Sequence, residues 1–247
     1  DGVLVIDNSS ATVTDNTIRN NTGAGIACME SSSCDVSRNT ISAGSRDGLL
    51  YYEDCTGEVG PSNVISRFKQ CAVAVSNQSN VNVFDNTLRD NQVGVGVNGE
   101  SQLTLTGNEI VQSALAGCDI QGQADVHLTD NTVSSGNTHG ISIASGSTAM
   151  ITNNVISNNT FEGLSVSGSA TCTLTGNTIS DNGYVAEQDV ESDTLEDLTS
   201  NYREKMTAGF PGVWLHQNAG PCFISLDDNN IRGNKGGHVL DDSLAQA

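Results

Sequence analysis

Residues Asp15 to Asn21, "DNTIRNN", are one copy of a phrase that the chain keeps rewriting. It returns as "RNTISAG" from Arg38, "DNTLRDN" from Asp85, "DNTVSSG" from Asp130, "NNVISNN" from Asn153 and "GNTISDN" from Gly176. The asparagine that opens each Asn-x-aliphatic unit falls at Asn16, Asn39, Asn63, Asn86, Asn108, Asn131, Asn154, Asn177 and Asn229, at spacings of 23, 24, 23, 22, 23, 23, 23 and 52. A second marker lies about fourteen residues upstream, at Gly2, Gly25, Gly48, Ala72, Gly94, Gly117, Gly140, Gly163, Gly212 and Gly237. Two markers with one period establish an internal repeat, and a short fixed period is the signature of a stacked architecture.

Each unit reads as three short strands. The first is "GIAC", "GVGV", "GISI", "GLSV" or "GVWL"; the second is "ATVTD", "VNVFD", "LTLTG" or "VHLTD"; the third is the Asn-x-aliphatic phrase. Alternation at period two sends one set of side chains inward. A three-stranded unit of this length with no helical pattern predicts an all-β parallel β-helix of about ten turns, climbing about 4.8 Å per turn to a rod of about 45 Å. The repeated asparagines are expected at a corner, hydrogen-bonded to their copies above and below as in cross-β ladders, and asparagine also tolerates a left-handed corner. The aliphatic residue that follows fills the core. A broken second row lies at Asn21, Asn91, Asn159, Asn182 and Asn234.

The composition fits a thin core. The apolar fraction is 36%, with one Trp, four Tyr and five Phe, below the roughly 45–50% of ordinary globular chains. The net charge of −19 opposes nucleic acid and anionic membrane surfaces. No apolar run approaches the roughly 20 residues of a membrane span, so no membrane insertion is expected. The seven cysteines form no C-x-x-C pair and no zinc spacing. The odd count favours a reducing, intracellular compartment, with an extracellular one as the alternative. Cys28 and Cys118 are expected inward, Cys55 and Cys71 in loops. Cys172 and Cys222 lie in consecutive turns, but their offsets from the ladder asparagine differ by two, so free thiols are expected. Neither a metal nor a cofactor is implied.

The phrases "GVLVIDNSSATVTDNTIRNNTGAGI" and "GISIASGSTAMITNNVISNN" resemble the right-handed parallel β-helix repeats of the pectin-lyase-like superfamily, in its short-coil carbohydrate-binding and sugar-hydrolysing branch. The resemblance spans nearly the whole chain. It implies a right-handed coil and leaves the activity open, because one scaffold hosts many activities. Enzymes of that superfamily cut, epimerise or hydrolyse polysaccharides with clustered carboxylates or a basic group beside them. "NTHGISIASG" from Asn137 is similar to the His-Gly segment of polygalacturonases. One turn earlier, however, Ala116 stands where that family needs an Asp, and no Arg-x-Lys segment follows.

The repeat breaks once, where the first-strand marker moves 49 residues from Gly163 to Gly212. An inserted acidic loop or helix is expected at about 183–208, the helix running from about Ser192, its N-cap, to Met206. Beyond it, alternation turns Trp214 and His216 outward, making the one Trp either an exposed platform for a sugar or protein or a residue packed under the insertion. The outward rows are apolar in turns one to three (Leu4, Leu50, Met29, Tyr52) and polar in the middle (Asn98, Asp119, Gln121, Ser142, Ser165), with no Lys or Arg in the central rows. The binding candidates are Trp214, His216, Tyr52 and Gln121. The acid–base candidates are Asp119, His139, Glu162 and His216. His139 and Glu162 both precede a marker glycine in adjacent turns, which predicts a pair about 5 Å apart. His139 and His216 are counted three turns apart, roughly 14 Å along the axis.

Together these features predict one β-helix domain over residues 1–247. Its expected role is a non-catalytic scaffold that presents an elongated face to a protein or glycan partner as part of a longer protein, with flanking domains or neighbouring subunits over its ends. The alternative is a carbohydrate-active enzyme, a polysaccharide lyase, hydrolase or epimerase, with a groove site near the insertion.

Overall fold

The structure, a computed structural model, describes residues 1–184, 209–225 and 227–242. All regular structure among them is β: 28 strands in three parallel sheets of ten, nine and nine strands. In each sheet the order is every third strand of the chain, so a strand pairs with its counterpart one turn on. Nine complete turns and the first strand of a tenth make the coil. The first sheet opens with Val3–Val5 and closes with Val239–Asp241. The acidic insertion and its expected helix lie, from residue 185 to 208, outside the described residues.

The core is one column of inward side chains per strand position. Of the aliphatics that follow the ladder asparagines, Ile41, Ile65, Leu88, Ile110, Val133, Ile156 and Ile179 are at most 1% exposed. Ile18 and Ile231, at the two ends, are only partly buried. Cys28 and Cys118 are buried in the same core. Cys55 is buried as well, and Cys71 opens the strand Cys71–Ser76, so the loop expectation for Cys71 is corrected. The marker glycines have a steric reason. A Cβ on Gly117 would stand 2.3 Å from Val133 Cγ1 and 2.6 Å from the Gly140 carbonyl oxygen.

The ladder runs unbroken. The backbone N–H of each ladder asparagine from Asn16 to Asn177 donates to the side-chain oxygen of the next, at 2.8–3.1 Å. From Asn39 onward the Nδ2 also donates to an inner-strand carbonyl, as Asn131 does to Leu105 O at 2.7 Å. The left-handed residue at this corner is the one before the ladder position, as at Asp15, Arg38, Asp85, Asp130 and Asn153. The ladder asparagine itself therefore does not need the left-handed tolerance expected of it. The rung from Asn177 to Asn229 crosses 52 positions, and Asn182 to Asn234 does the same in the second row. The coil thus resumes in phase after the excursion, placing the strand Val213–Leu215 directly on Leu164–Val166.

Candidate functional site

Three consecutive first-sheet strands, Ile141–Ile143, Leu164–Val166 and Val213–Leu215, bring the acid–base candidates together. His139 and Glu162 sit just before the first two, as their shared place in the repeat predicts. His139 Nδ1 lies 3.3 Å from Glu162 Oε1. His216 Nε2 comes to 4.0 Å from the same oxygen. The two histidines are therefore two strand steps apart, one fewer than the sequence count gave, because Gly212 follows Gly163 directly in the coil. Asp119 is not part of this group. Its carboxylate accepts two hydrogen bonds from Gln121 Nε2, at 3.0 and 2.9 Å.

Trp214 does face outward, but it is 1% exposed. The exposed-platform expectation is corrected, and the expected packing under the insertion falls on residues outside those described. Its ring stacks on His216 with centroids 4.2 Å apart, and Nε1–H donates to Asp242 Oδ2 at 2.9 Å. Phe210 lies 6.3 Å from Trp214 and stacks on Phe161 at 4.5 Å; Phe161 in turn meets the edge of His139. A second, smaller aromatic core thus forms on the outside of the first sheet. Sequence reasoning missed Phe161, Phe210 and Asp242. The one available signal was "FEG" at 161–163, where a bulky pair precedes the marker glycine.

Inside this aromatic layer Glu162 has 0% exposure, and neither of its oxygens has a hydrogen-bond partner among the described residues. A carboxylate so placed depends on nearby positive charge. Burial opposes protonation of His139. The neighbouring Glu162 carboxylate, by charge and by contact with the ring, and the more distant Asp119 outweigh it and raise the pKa of His139 above 6.5. His216 goes the other way. Its burial dominates, reinforced by repulsion from His139, and its pKa falls below 6.5 despite Glu162 and Asp242. Two imidazoles around one carboxylate are driven apart, which is how one site comes to hold an acid beside a base.

Ser165 Oγ is hydrogen-bonded to His216 Nε2 at 3.0 Å. This is not a nucleophilic relay. In such a relay the hydroxyl and the carboxylate occupy opposite ring nitrogens, whereas here both approach Nε2. Ser165 is also only 6% exposed.

The remaining candidates lie elsewhere on the same face. Gln121 and Asp119 line a shallow concavity of about 240 Å³ with Cys71, Ala74, Ser76, Gly96, Val97 and Asn98. Tyr52 lines another, of about 340 Å³, over turns one to three with Ala27, Met29, Arg46, Asp47 and Leu50. Leu4 is 51% exposed beside it, whereas Ala27, its strand partner one turn on, is 1% exposed.

The family model of the right handed beta helix region matches residues 1–132 and 116–245, which together take in nearly the whole sequence. The chain belongs to the right-handed β-helix family. Solved structures of this family type resemble it in fold. A mutant of the periplasmic alginate epimerase AlgG is 11% identical, with 96% of this chain and 70% of that chain aligned at a TM-score of 0.52. A second AlgG mutant gives 12%, 87%, 62% and 0.52. The A-module of the mannuronan C-5 epimerase AlgE6 of Azotobacter vinelandii gives 10%, 96%, 80% and 0.44. This β-helix thus spans only part of each. No curated protein matches it in sequence. At these identities the likeness concerns the fold.

Proposed function

We propose that this β-helix is a glycan-binding module whose binding trough is the outward face of the first sheet from turn four to turn seven. The observation that carries the reading is the chemistry of the trough floor. Ala74, Gly96, Asp119 and Ser142 follow one another in register. Their short side chains let a flat ligand approach the sheet, while Asn98 and Gln121 present amides at the rim. Among the described residues no Lys or Arg lines the concavity. With a net charge of −19, the face suits an uncharged, hydroxyl-rich chain and repels an anionic one.

The test is calorimetric titration of the protein with neutral polysaccharides (a glucan, a mannan) and anionic ones (alginate, polygalacturonate) at low and high salt. The expected result is binding of a neutral glycan that salt leaves unchanged. Asn98→Ala and Gln121→Ala should each weaken it by roughly tenfold, about 1.4 kcal/mol. Tighter binding of an anionic polysaccharide overturns the reading.

A second reading rests on the His139–Glu162–His216 group. The similarity to alginate epimerases makes an epimerase, lyase or hydrolase the class to test. In this reading His139 is the acid and His216 the base, both partly exposed, and Glu162 is the buried positioning residue that holds their protonation states apart. A screen for chain cleavage and sugar inversion on the same panel decides it. Activity that His139→Gln and His216→Gln both abolish supports catalysis; an inert wild type excludes it for those substrates.

A further inference from the structure

Cys172 and Cys222 stand on opposite sides of the chain excursion between turns eight and nine, yet they are direct cross-strand partners. Both are free thiols, as expected, but the differing offsets do not hold them apart, because of the turn after Cys222. There Asn229 N–H bonds back to Ser225 O and takes up the two extra residues before the ladder. Adjacent strands of a sheet lie about 4.8 Å apart, inside the roughly 4.4–6.8 Å separation of Cα atoms that a disulfide spans. Cys222 belongs to Cys222–Ile224, the terminal strand of the second sheet. That strand is paired on one side, so it is the freer of the two to adjust as the bond forms.

We propose that Cys172 and Cys222 form a thiol–disulfide exchange site, a dithiol that a small disulfide of the glutathione type converts to a cross-strand bond. The proposal does not depend on the glycan reading. The two thiols differ in the way the exchange needs. Cys222 is partly exposed, and the hydrogen bond from Cys172 holds its pKa below the ordinary thiol value although burial opposes it. Cys172 is 4% exposed, and its pKa is raised by that same hydrogen bond and by burial. Cys222 is therefore the attacking sulfur and Cys172 the resolving one.

In the first step the Cys222 thiolate attacks one sulfur of the small disulfide, forms a mixed disulfide and expels one small thiolate. In the second, Cys172 gives its proton to that base or to water, attacks Cys222 Sγ and expels the other small thiolate, which is protonated. Two protein thiols and one small disulfide become one protein disulfide and two small thiols. Cys28 and Cys55 also lie near each other, but at 1% and 0% exposure they are sealed from such a reagent.

The bond closes a ring around the whole excursion and ties turn nine, which carries Trp214 and His216, to turn eight. The experiment uses the full chain equilibrated with oxidised or reduced glutathione, then denatured, alkylated and mapped by mass spectrometry, with thermal midpoints measured in parallel. The expected result is five alkylatable thiols of the seven after oxidation, one linked peptide pair joining 172 to 222, and a midpoint several degrees above that of the reduced protein. Cys172→Ala and Cys222→Ala should each remove the linked peptide pair and the rise in midpoint; alanine already occupies the neighbouring lap at Ala149, so the fold accepts it. Seven alkylatable thiols after oxidation, a linkage between other cysteines, or a mixed disulfide at Cys222 that never resolves overturns the proposal.

Discussion

Trp214 lies face to face with His216, their ring planes 21° apart. The single tryptophan of the chain is therefore a built-in reporter of one imidazole. A protonated imidazole quenches a stacked indole, so emission should fall as pH drops. Because His216 is held below 6.5, the quenching midpoint should also lie below 6.5. His216→Gln should remove the transition, which steady-state fluorescence titration checks. A midpoint above 6.5 contradicts the burial-dominated environment described for this ring.

His139 should leave its mark on stability instead. Its pKa is raised in the folded state, so the folded protein binds the proton more tightly than the unfolded chain. The stabilisation is fully present below the unfolded value of about 6.5 and is lost as pH rises through the higher, folded value. Urea unfolding of the wild type should therefore show a decline across that window that His139→Gln lacks. His216 works in the opposite sense on the acid side, where its reluctance to protonate weakens the fold as pH falls below 6.5. The double variant His139→Gln, His216→Gln should be the flattest of all.

The ladder makes a graded prediction. Asn131→Ala removes the acceptor of the Asn108 N–H and Nδ2 and the donor to Leu105 O and Asn154 Oδ1, all buried. Stranding buried polar groups costs about 1–3 kcal/mol each. With some relaxation a loss on the order of 3 kcal/mol follows in denaturant melts. Asn16→Ala, at the exposed first rung, should cost well under about 1 kcal/mol. Equal losses at the two positions would mean that the rungs do not act through burial.

Much of the fold was legible because its signals are local and periodic. Alternation of "LTLT" type fixes which side chains enter the core, and the recurring asparagine fixes where each lap turns. The His139–Glu162 pair was legible for the same reason, since both residues hold one place in adjacent repeats. The rest was less legible. The markers Gly140, Gly163 and Gly212 put His139 two laps from His216 where the count gave three, and the two extra residues after Cys222 put it out of step with Cys172. Parity correctly turned Trp214 outward, but outward is not exposed when Phe210 and Asp242 arrive from segments with no repeat phrase. Sequence pattern gives the side of a sheet that a residue occupies, and only packing gives what covers it.

The rung that joins Asn177 to Asn229 holds its geometry although the chain leaves and returns between them. What fixes the phase of the coil is thus the corner chemistry of each lap, not the length of chain spent reaching the next. A foreign peptide could be spliced in, or an entire lap excised, between two rungs without disturbing the winding on either side. The molecule behaves like a zip fastener that accepts a pocket sewn between any two of its teeth.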